Sequence, residues 1–532
     1  MDIAAILYFF HVVWAIPRYF FLPVTQSSNI SQFKVHGLPD SPTLPPSWAG
    51  RLPVPETQDG NEIFFWLFEA EDAKYNDNLI IWFNGGPGCS SLIGLITGNG
   101  PISFAGNSTR LERNPYSWTR LGNVLYVDQP VGTGFSTASN PYPVKDNERV
   151  TADLVRWLHS FLVYFPHLQS KQIHLMGESY AGIYVPYFAE ALMEGKYSLP
   201  LDIRSMSLGD GSWGNAAAMS SVAMGAYIHS QLKLLKVPQD IQSTFSEADR
   251  TCGFDNVLDQ AAIYPPRGRI QIPGNPENIN YRRKQHRDLT SALNDDCNIA
   301  PSTPATVHSS IFNSTCYGPC ATFSTASDYM YTVSAAGSGP ECFDIYDIHN
   351  DCSTVSPLPL LGTYFSRADV RAALHVRDSD AYSACNATIL ATLVAAPPPV
   401  PPEYSILPKL VTTHNISLHI YNGEWDMLIN HIGTELSIQN MTWGGAQGFS
   451  EKPHQLFYAD NAAPASTKSS SKHTAATTLT AATATDTAAG TWAAERGVSY
   501  HHFWEAGHSV FVNKPREVFA FVRDVVVAPK KD

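Results

Sequence analysis

Ile173-His174-Leu175-Met176-Gly177-Glu178-Ser179-Tyr180-Ala181-Gly182 is the stretch of this 532-residue chain from which the rest is read. Ile173 to Met176 is a short apolar run of the kind that forms a buried strand, and a helix is predicted to follow Ser179. A serine on a sharp strand-to-helix turn needs small neighbours, because the backbone doubles back and lifts Oγ above the sheet. Gly177 and Ala181 supply that room, with Ala181 standing where a second glycine is usual. Glycine-bounded serines also occur in ordinary tight turns. Reading Ser179 as a nucleophile therefore depends on finding its partners.

Outward from that turn, strands and helices alternate. Ile63 to Phe68, Leu79 to Phe83 and Val124 to Val127 read as further buried strands. An amphipathic helix lies before Ile173, with Val150, Leu154, Trp157, Leu158, Phe161 and Leu162 at 3.6-residue spacing, and Pro166 ends it. This order predicts an α/β domain with a mostly parallel central sheet and flanking helices. From Ser212 to Ser353 the texture changes to cysteines, prolines and polar stretches, read as an inserted region (212–353) stapled by disulfides. The α/β pattern then resumes, so the α/β domain spans 23–211 and 354–532. It resumes with a helix around Ala368 to Leu374, strands at Leu418 to Tyr421 and Tyr500 to Trp504, and a final helix opening at Pro515. Ala395 to Pro402 is proline-rich and predicts an extended surface excursion. Residues 462–494 are dominated by Ala, Thr and Ser, which predicts a disordered loop.

Partners for Ser179 occur in the chain order that such a domain requires: serine, then aspartate, then histidine. Asp426 closes Tyr421-Asn422-Gly423-Glu424-Trp425-Asp426, just past a strand. His508 closes Glu505-Ala506-Gly507-His508, just past another. Loops at the carboxyl ends of strands are where α/β sheets place their sites. His501 and His502 compete with His508, but they fall within the predicted strand. A zinc reading of these histidines lacks any His-Glu-x-x-His helix. Trp82-Phe83-Asn84-Gly85-Gly86-Pro87-Gly88-Cys89-Ser90-Ser91 also follows a strand, and its glycines leave backbone N–H groups able to form an oxyanion hole. A phosphate loop would need a Gly-Lys-Ser/Thr ending that is missing.

Composition sets the class. With 44% hydrophobic residues the chain can bury a large core, and a net charge of −13 disfavours nucleic acid and anionic lipid as partners. The apolar run to Ile16 has the length of a signal-peptide core and is too short to span a bilayer; a leader over 1–22 is expected, a buried first strand being the alternative. Six sequons, at Asn29, Asn107, Asn313, Asn386, Asn415 and Asn440, predict glycosylation on a secretory route. Seven of the eight cysteines lie between residues 252 and 385, consistent with local disulfides. Cys316 and Cys320 have no partnering pair at zinc-finger spacing.

Taken together, Trp82 to Ser91, Asp128-Gln129-Pro130-Val131-Gly132-Thr133-Gly134-Phe135-Ser136, Gly177 to Gly182, Gly423 to Asp426 and Ala506 to His508 resemble the serine carboxypeptidases, which have the α/β-hydrolase fold. The likeness runs in order from about residue 60 to residue 515. It implies Ser179, Asp426 and His508 as a catalytic triad and the N–H groups of Gly86 and Tyr180 as the oxyanion hole. Asn84, Gly85 and Glu178, with Trp82 beside them, would bind a substrate carboxylate. It further implies a disulfide between Cys89 and Cys385, a lid built from the insert, no cofactor or metal, and peptide or protein C-termini as substrates, favoured at acidic pH. The compartment would be extracellular, or vacuolar or lysosome-like. Three departures stand out, one being that Asp426 and His508 lie 82 residues apart (508 − 426), longer than usual because of the Thr-rich segment. Gly98 occupies a position where the family has an acid supporting its carboxylate-binding Glu, and Ser509-Val510-Phe511 replaces Met-Val-Pro after the histidine. An acyltransferase or esterase on the same triad is the nearest rival, and a non-catalytic binding protein a more distant one. Leaving Cys89 and Cys385 aside, six cysteines still allow 15 pairings.

Overall fold

The computed structural model describes residues 29–195, 199–273, 303–312, 318–350, 356–377, 382–459 and 487–528. The expected leader over 1–22, Asn313 and most of the Ala/Thr/Ser segment lie outside them. Eleven strands form the main sheet: β1 Lys34–Val35, β2 Ser47–Pro53, β3 Glu62–Phe68, β4 Asn78–Phe83, β5 Asn123–Asp128, β6 Gln172–Glu178, β7 Asp202–Gly209, β8 Ser417–Gly423, β9 Gln455–Phe457, β10 Gly490–Glu495 and β11 Val498–Phe503. Their spatial order is β1-β2-β3-β5-β4-β6-β7-β8-β11-β10-β9. The six central strands, β5 through β11, pair in parallel. The pairings on either flank are antiparallel.

Why these runs form central strands is visible in their alternation. Phe65 and Leu67 face one core with Leu79, Ile81 and Phe83, whereas Phe64, Trp66, Phe68, Ile80 and Trp82 face the other. A strand buried on both faces must be apolar at every position, which is how these segments read. Helix α1 (Asn147–Tyr164) is capped by the Asp146 carboxylate, which accepts from Arg149 N. It packs Trp157 and Phe161 against Phe65. Helix α2 (Ala181–Glu194) starts immediately after the Ser179 turn.

The insert carries a core of its own. Helices over Ser221–Ser230, Gln239–Cys252, Pro304–Phe312 and Thr322–Ala335 bury Tyr227, Phe245, Ile311, Tyr329 and Met330 together. A Cys252–Cys320 disulfide staples this region, and Cys89–Cys385 is the second bridge whose two ends are both described.

Two expectations need correcting. Residues 490–494 were expected in a disordered loop and instead belong to β10, which pairs with β11 from Gly490↔Phe503 to Glu495↔Val498. The signal was the two-residue turn Arg496-Gly497: both residues have positive φ, 54° and 83°, as a tight hairpin requires. Trp492, stacked on His501, anchors the strand despite its Ala- and Thr-rich composition. The second correction concerns Asn440, which is buried. Its Nδ2 donates to the Ile270 carbonyl and Tyr404 Oη, so it offers no glycan acceptor. Asn386 is half-buried and also committed: Nδ2 donates to the Gly132 carbonyl and Oδ1 caps the helix Ala387–Ala395. Asn29, Asn107 and Asn415 are exposed.

Candidate active site

Strand register assembles the site. Phe83 lies opposite Gly177, so Asn84, Gly85 and Gly86 leave the sheet beside Glu178, Ser179 and Tyr180. Gly209 lies opposite both Glu178 and Tyr421, and Gly423 lies opposite Phe503. Asp426 and His508 therefore emerge from neighbouring strand ends, three and five residues beyond that pair. All these loops sit at the carboxyl ends of parallel strands.

Ser179 adopts φ +63°, a left-handed conformation that an L-residue holds only when its surroundings impose it. The surroundings do so here. Ser179 N donates to the Gly209 carbonyl at 2.9 Å, while the Ser179 carbonyl accepts from Gly182 N (2.9 Å) and Ser212 N (3.0 Å). A Cβ on Gly177 would meet the Ala181 Cβ at 2.6 Å and the Phe83 carbonyl at 2.7 Å, so a larger residue would open the turn.

His508 Nδ1 lies 2.7 Å from Asp426 Oδ2. Asp426 Oδ1 accepts from Leu428 N and Ile429 N, which fixes the carboxylate plane. Burial alone would lower the His508 pKa, but the charge and hydrogen bond of Asp426, with Glu178 nearby, hold it above the ordinary value. Nε2 is buried and has no hydrogen-bond partner among the described residues, so it can accept a proton. His501 and His502 lie within β11, as read from sequence. Burial pushes His501 down to about 3 and His502 well below its usual range, which disqualifies both as bases.

A second chain of hydrogen bonds holds Glu178. The Trp82 indole N–H and Gly94 N donate to Asn84 Oδ1 at 2.8 and 3.0 Å, and Asn84 Nδ2 donates to Glu178 Oε1 at 2.7 Å. Trp82, expected beside the carboxylate-binding groups, is fully buried, and its indole N–H is committed to Asn84. Burial raises the Glu178 carboxyl to about 7, against the opposing pull of His508, Ser509 and Asn84.

At Gly98 the vacated space is filled. A Cβ there would meet Phe511 Cδ2 at 2.6 Å and the Phe511 carbonyl at 3.0 Å, and the Phe511 ring packs edge-on against Trp82 and Trp118. The loop after β4 is tied across the site by Cys89–Cys385, flanked by Ser90 N donating to the Ala384 carbonyl and Asn386 N to that of Gly88.

Three participants escaped the sequence reading. Asp210, at the carboxyl end of β7, accepts from Gly423 N at 2.9 Å and Asn422 Nδ2 at 3.2 Å. Asp210, Asp426 and His508 each offer an atom within 4.8 Å of the others. Two buried carboxyls this close cannot both ionise, and burial, then the Asp426 charge, raises Asp210 well above the carboxylate range. Asp426 already spends both oxygens on His508 and backbone donors, so an uncharged Asp210 beside it accounts for the cluster without a cation. Gly209-Asp210-Gly211, directly after an apolar run, was the available signal. Tyr346, from the insert, sets its half-exposed ring edge-on to the His508 imidazole at 5.2 Å, and its carbonyl accepts from His508 N at 2.7 Å. Nothing local in the sequence marks it. Ser509 is the third; the sequence singled out its position but not its contact with Glu178.

Comparison with known proteins agrees with this arrangement. A family model described as serine carboxypeptidase matches residues 42–528. The chain is 45% identical over 506 residues to a carboxypeptidase Y homolog of Arthroderma benhamiae, covering 93% of this chain and 94% of that protein. It is 29% identical to the pheromone-processing carboxypeptidase kex1 of Aspergillus oryzae, over 81% of this chain and 61% of that one. The crystal structure of Kex1(delta)p, a prohormone-processing carboxypeptidase from Saccharomyces cerevisiae, superimposes with a TM-score of 0.61 at 22% identity, covering 93% and 95% of the two chains. The α/β-hydrolase fold is thus shared with that structure. With the serine turn, the Asp–His pair and the buried glutamate in one place, and a family model matched from residue 42 to 528, this chain belongs to the serine carboxypeptidase family.

Proposed function

We propose that Ser179, His508 and Asp426 release C-terminal residues from peptides through an acyl-enzyme, with Glu178 and Asn84 reading the terminal carboxylate. The observation that carries this reading is adjacency. The buried acid held by Asn84 is the residue directly before the nucleophile. In a C-terminal substrate the carboxylate is one residue from the scissile carbonyl, so a carboxylate site fixed beside Ser179 selects the last peptide bond.

Ser179 Oγ attacks that carbonyl while His508 Nε2 takes its proton, and Asp426 holds Nδ1 and stabilises the imidazolium. The N–H groups of Gly86 and Tyr180 receive the oxyanion. His508 then protonates the departing amine, water enters, and the same imidazole activates it to free the acyl group. Glu178 must keep a proton to meet a carboxylate, since two ionised carboxylates in contact repel. A carboxyl at about 7 keeps that proton in mildly acidic solution, which favours an acidic working range. The insert, whose Tyr346 borders His508, acts as the lid that shapes side-chain preference. Exposed sequons at Asn29, Asn107 and Asn415, with the two disulfides seen among the described residues, support secretion or delivery to a vacuolar or lysosome-like compartment. Among the described residues no helix is long and apolar enough to cross a membrane.

The test is hydrolysis of N-blocked dipeptides against their C-terminal amides and methyl esters at about pH 5. The free acids should be preferred over the amides. Cleavage of the esters alone would favour an esterase or acyltransferase.

A further inference from the structure

Glu178 has two oxygens, and they are not held alike. Oε1 accepts from Asn84 Nδ2 at 2.7 Å and lies 3.3 Å from Ser509 Oγ, whereas Oε2, among the described residues, accepts from Ser509 Oγ at 3.1 Å and from no other side chain. Asn84 cannot serve Oε2 as well without leaving Oε1, because its own oxygen is pinned by Trp82 and Gly94. Ser509 is half-buried. Its position is set by the residues around it: His508 N donates to the Tyr346 carbonyl, and Phe511, two residues on, is wedged into the space at Gly98 against Trp82.

We propose that Ser509 is a positioning residue of the carboxylate site, fixing Oε2 of Glu178 and setting the pH at which that site stops accepting a free C-terminus. The inference rests on Glu178 being the carboxylate reader. A hydroxyl suits this duty because it donates to an ionised carboxylate and accepts from a protonated one, so the contact survives the change of state that substrate binding needs. It also joins the two halves of the site. Glu178 precedes the nucleophile and Ser509 follows the base, so this hydrogen bond spans from one reacting residue's neighbour to the other's. The charged and titratable groups facing Glu178 are His508, Asp426, Asp210 and Tyr421. Of these His508 favours the ionised form and Asp426 disfavours it, while Asp210 and Tyr421, held uncharged by burial, do neither; among the described residues no second side-chain donor stands ready to replace Ser509 at Oε2.

The experiment measures kcat and KM against pH for an N-blocked dipeptide and its C-terminal amide in wild type, Ser509→Ala, Ser509→Thr and Glu178→Gln. Ser509→Ala should raise KM for the acid about tenfold relative to the amide. It should also move the alkaline loss of acid preference to higher pH, because a donor to the ionised carboxylate has gone. Ser509→Thr keeps the hydroxyl and should restore both. An unchanged acid-to-amide ratio in Ser509→Ala overturns the inference, as does an equal fall for both substrates or a Thr variant that matches Ala. Glu178→Gln separates the two levels. If it shifts the ratio while Ser509→Ala does not, only the role of Ser509 fails; if neither shifts it, the carboxylate reading of Glu178 fails too.

Discussion

Replacing Glu178 by Gln isolates the proton on which terminal recognition depends. In the wild type the carboxyl is held near 7 by burial, so it is protonated below that pH and able to donate to a substrate carboxylate. The sign is therefore fixed: free-acid preference is present in acid and is lost as pH rises through the folded value. Two pH units above it about one molecule in a hundred keeps the proton, so the acid-to-amide ratio of kcat/KM should fall about 100-fold, or about 2.7 kcal/mol. His508 serves both substrates, so its own titration cancels in the ratio. A glutamine at 178 can still accept from Asn84 Nδ2 and Ser509 Oγ through its oxygen, and its amide is a donor at every pH. The Glu178→Gln ratio should accordingly be flat from about pH 5 to about pH 9. Steady-state kinetics on an N-blocked dipeptide and its amide across that range provide the readout. A wild-type ratio that ignores pH, or a Gln variant that retains the alkaline fall, would refute the reasoning.

Other outcomes follow from the same geometry. Ser179→Ala and His508→Ala should each lower kcat by several orders of magnitude, with the double variant little worse because the residues act as one unit; circular dichroism should show both folded. Gly98→Glu should lower the melting temperature, since its Cβ runs into Phe511 at a cost of about 1–3 kcal/mol. Adding Phe511→Ala should recover part of that loss, and an unaltered melting temperature in the single variant would contradict the packing described. Deleting residues 467–486 should leave activity largely unchanged, given their Ala, Thr and Ser composition. Extending the cut to Thr491 should abolish soluble expression, because Thr491 pairs with both Leu456 and His502.

Much of this site was legible because its elements obey local rules. Apolar runs such as Leu79 to Phe83 announce strands buried on both faces, and the loops after them carry Asn84, Ser179, Asp426 and His508 at strand ends. What was hidden depends on contacts between distant segments. Asp210 resembles any turn aspartate until Gly423 and Asp426 are brought beside it. Tyr346 comes from a region without strand periodicity and reaches His508 only through the fold of the insert. The purpose of Gly98 and Phe511 is apparent only as a pair, because each looks like a departure until one ring is seen filling the other's vacancy. Asn440 fits a sequon, but a three-residue pattern carries no information about the burial that removes it. The hairpin at Arg496-Gly497 was overlooked for a different reason: the Ala- and Thr-rich composition before it outweighed a valid turn signal.

The most direct test of the central claim is active-site titration by mass spectrometry on an N-blocked hexapeptide. Purified protein should shorten the peptide from its C-terminus one residue at a time. About one equivalent of a fluorophosphonate, attached to Ser179 and to no other serine, should stop the release in proportion to labelling. Internal cleavage of the peptide, or full release from protein labelled at Ser179, would contradict the account.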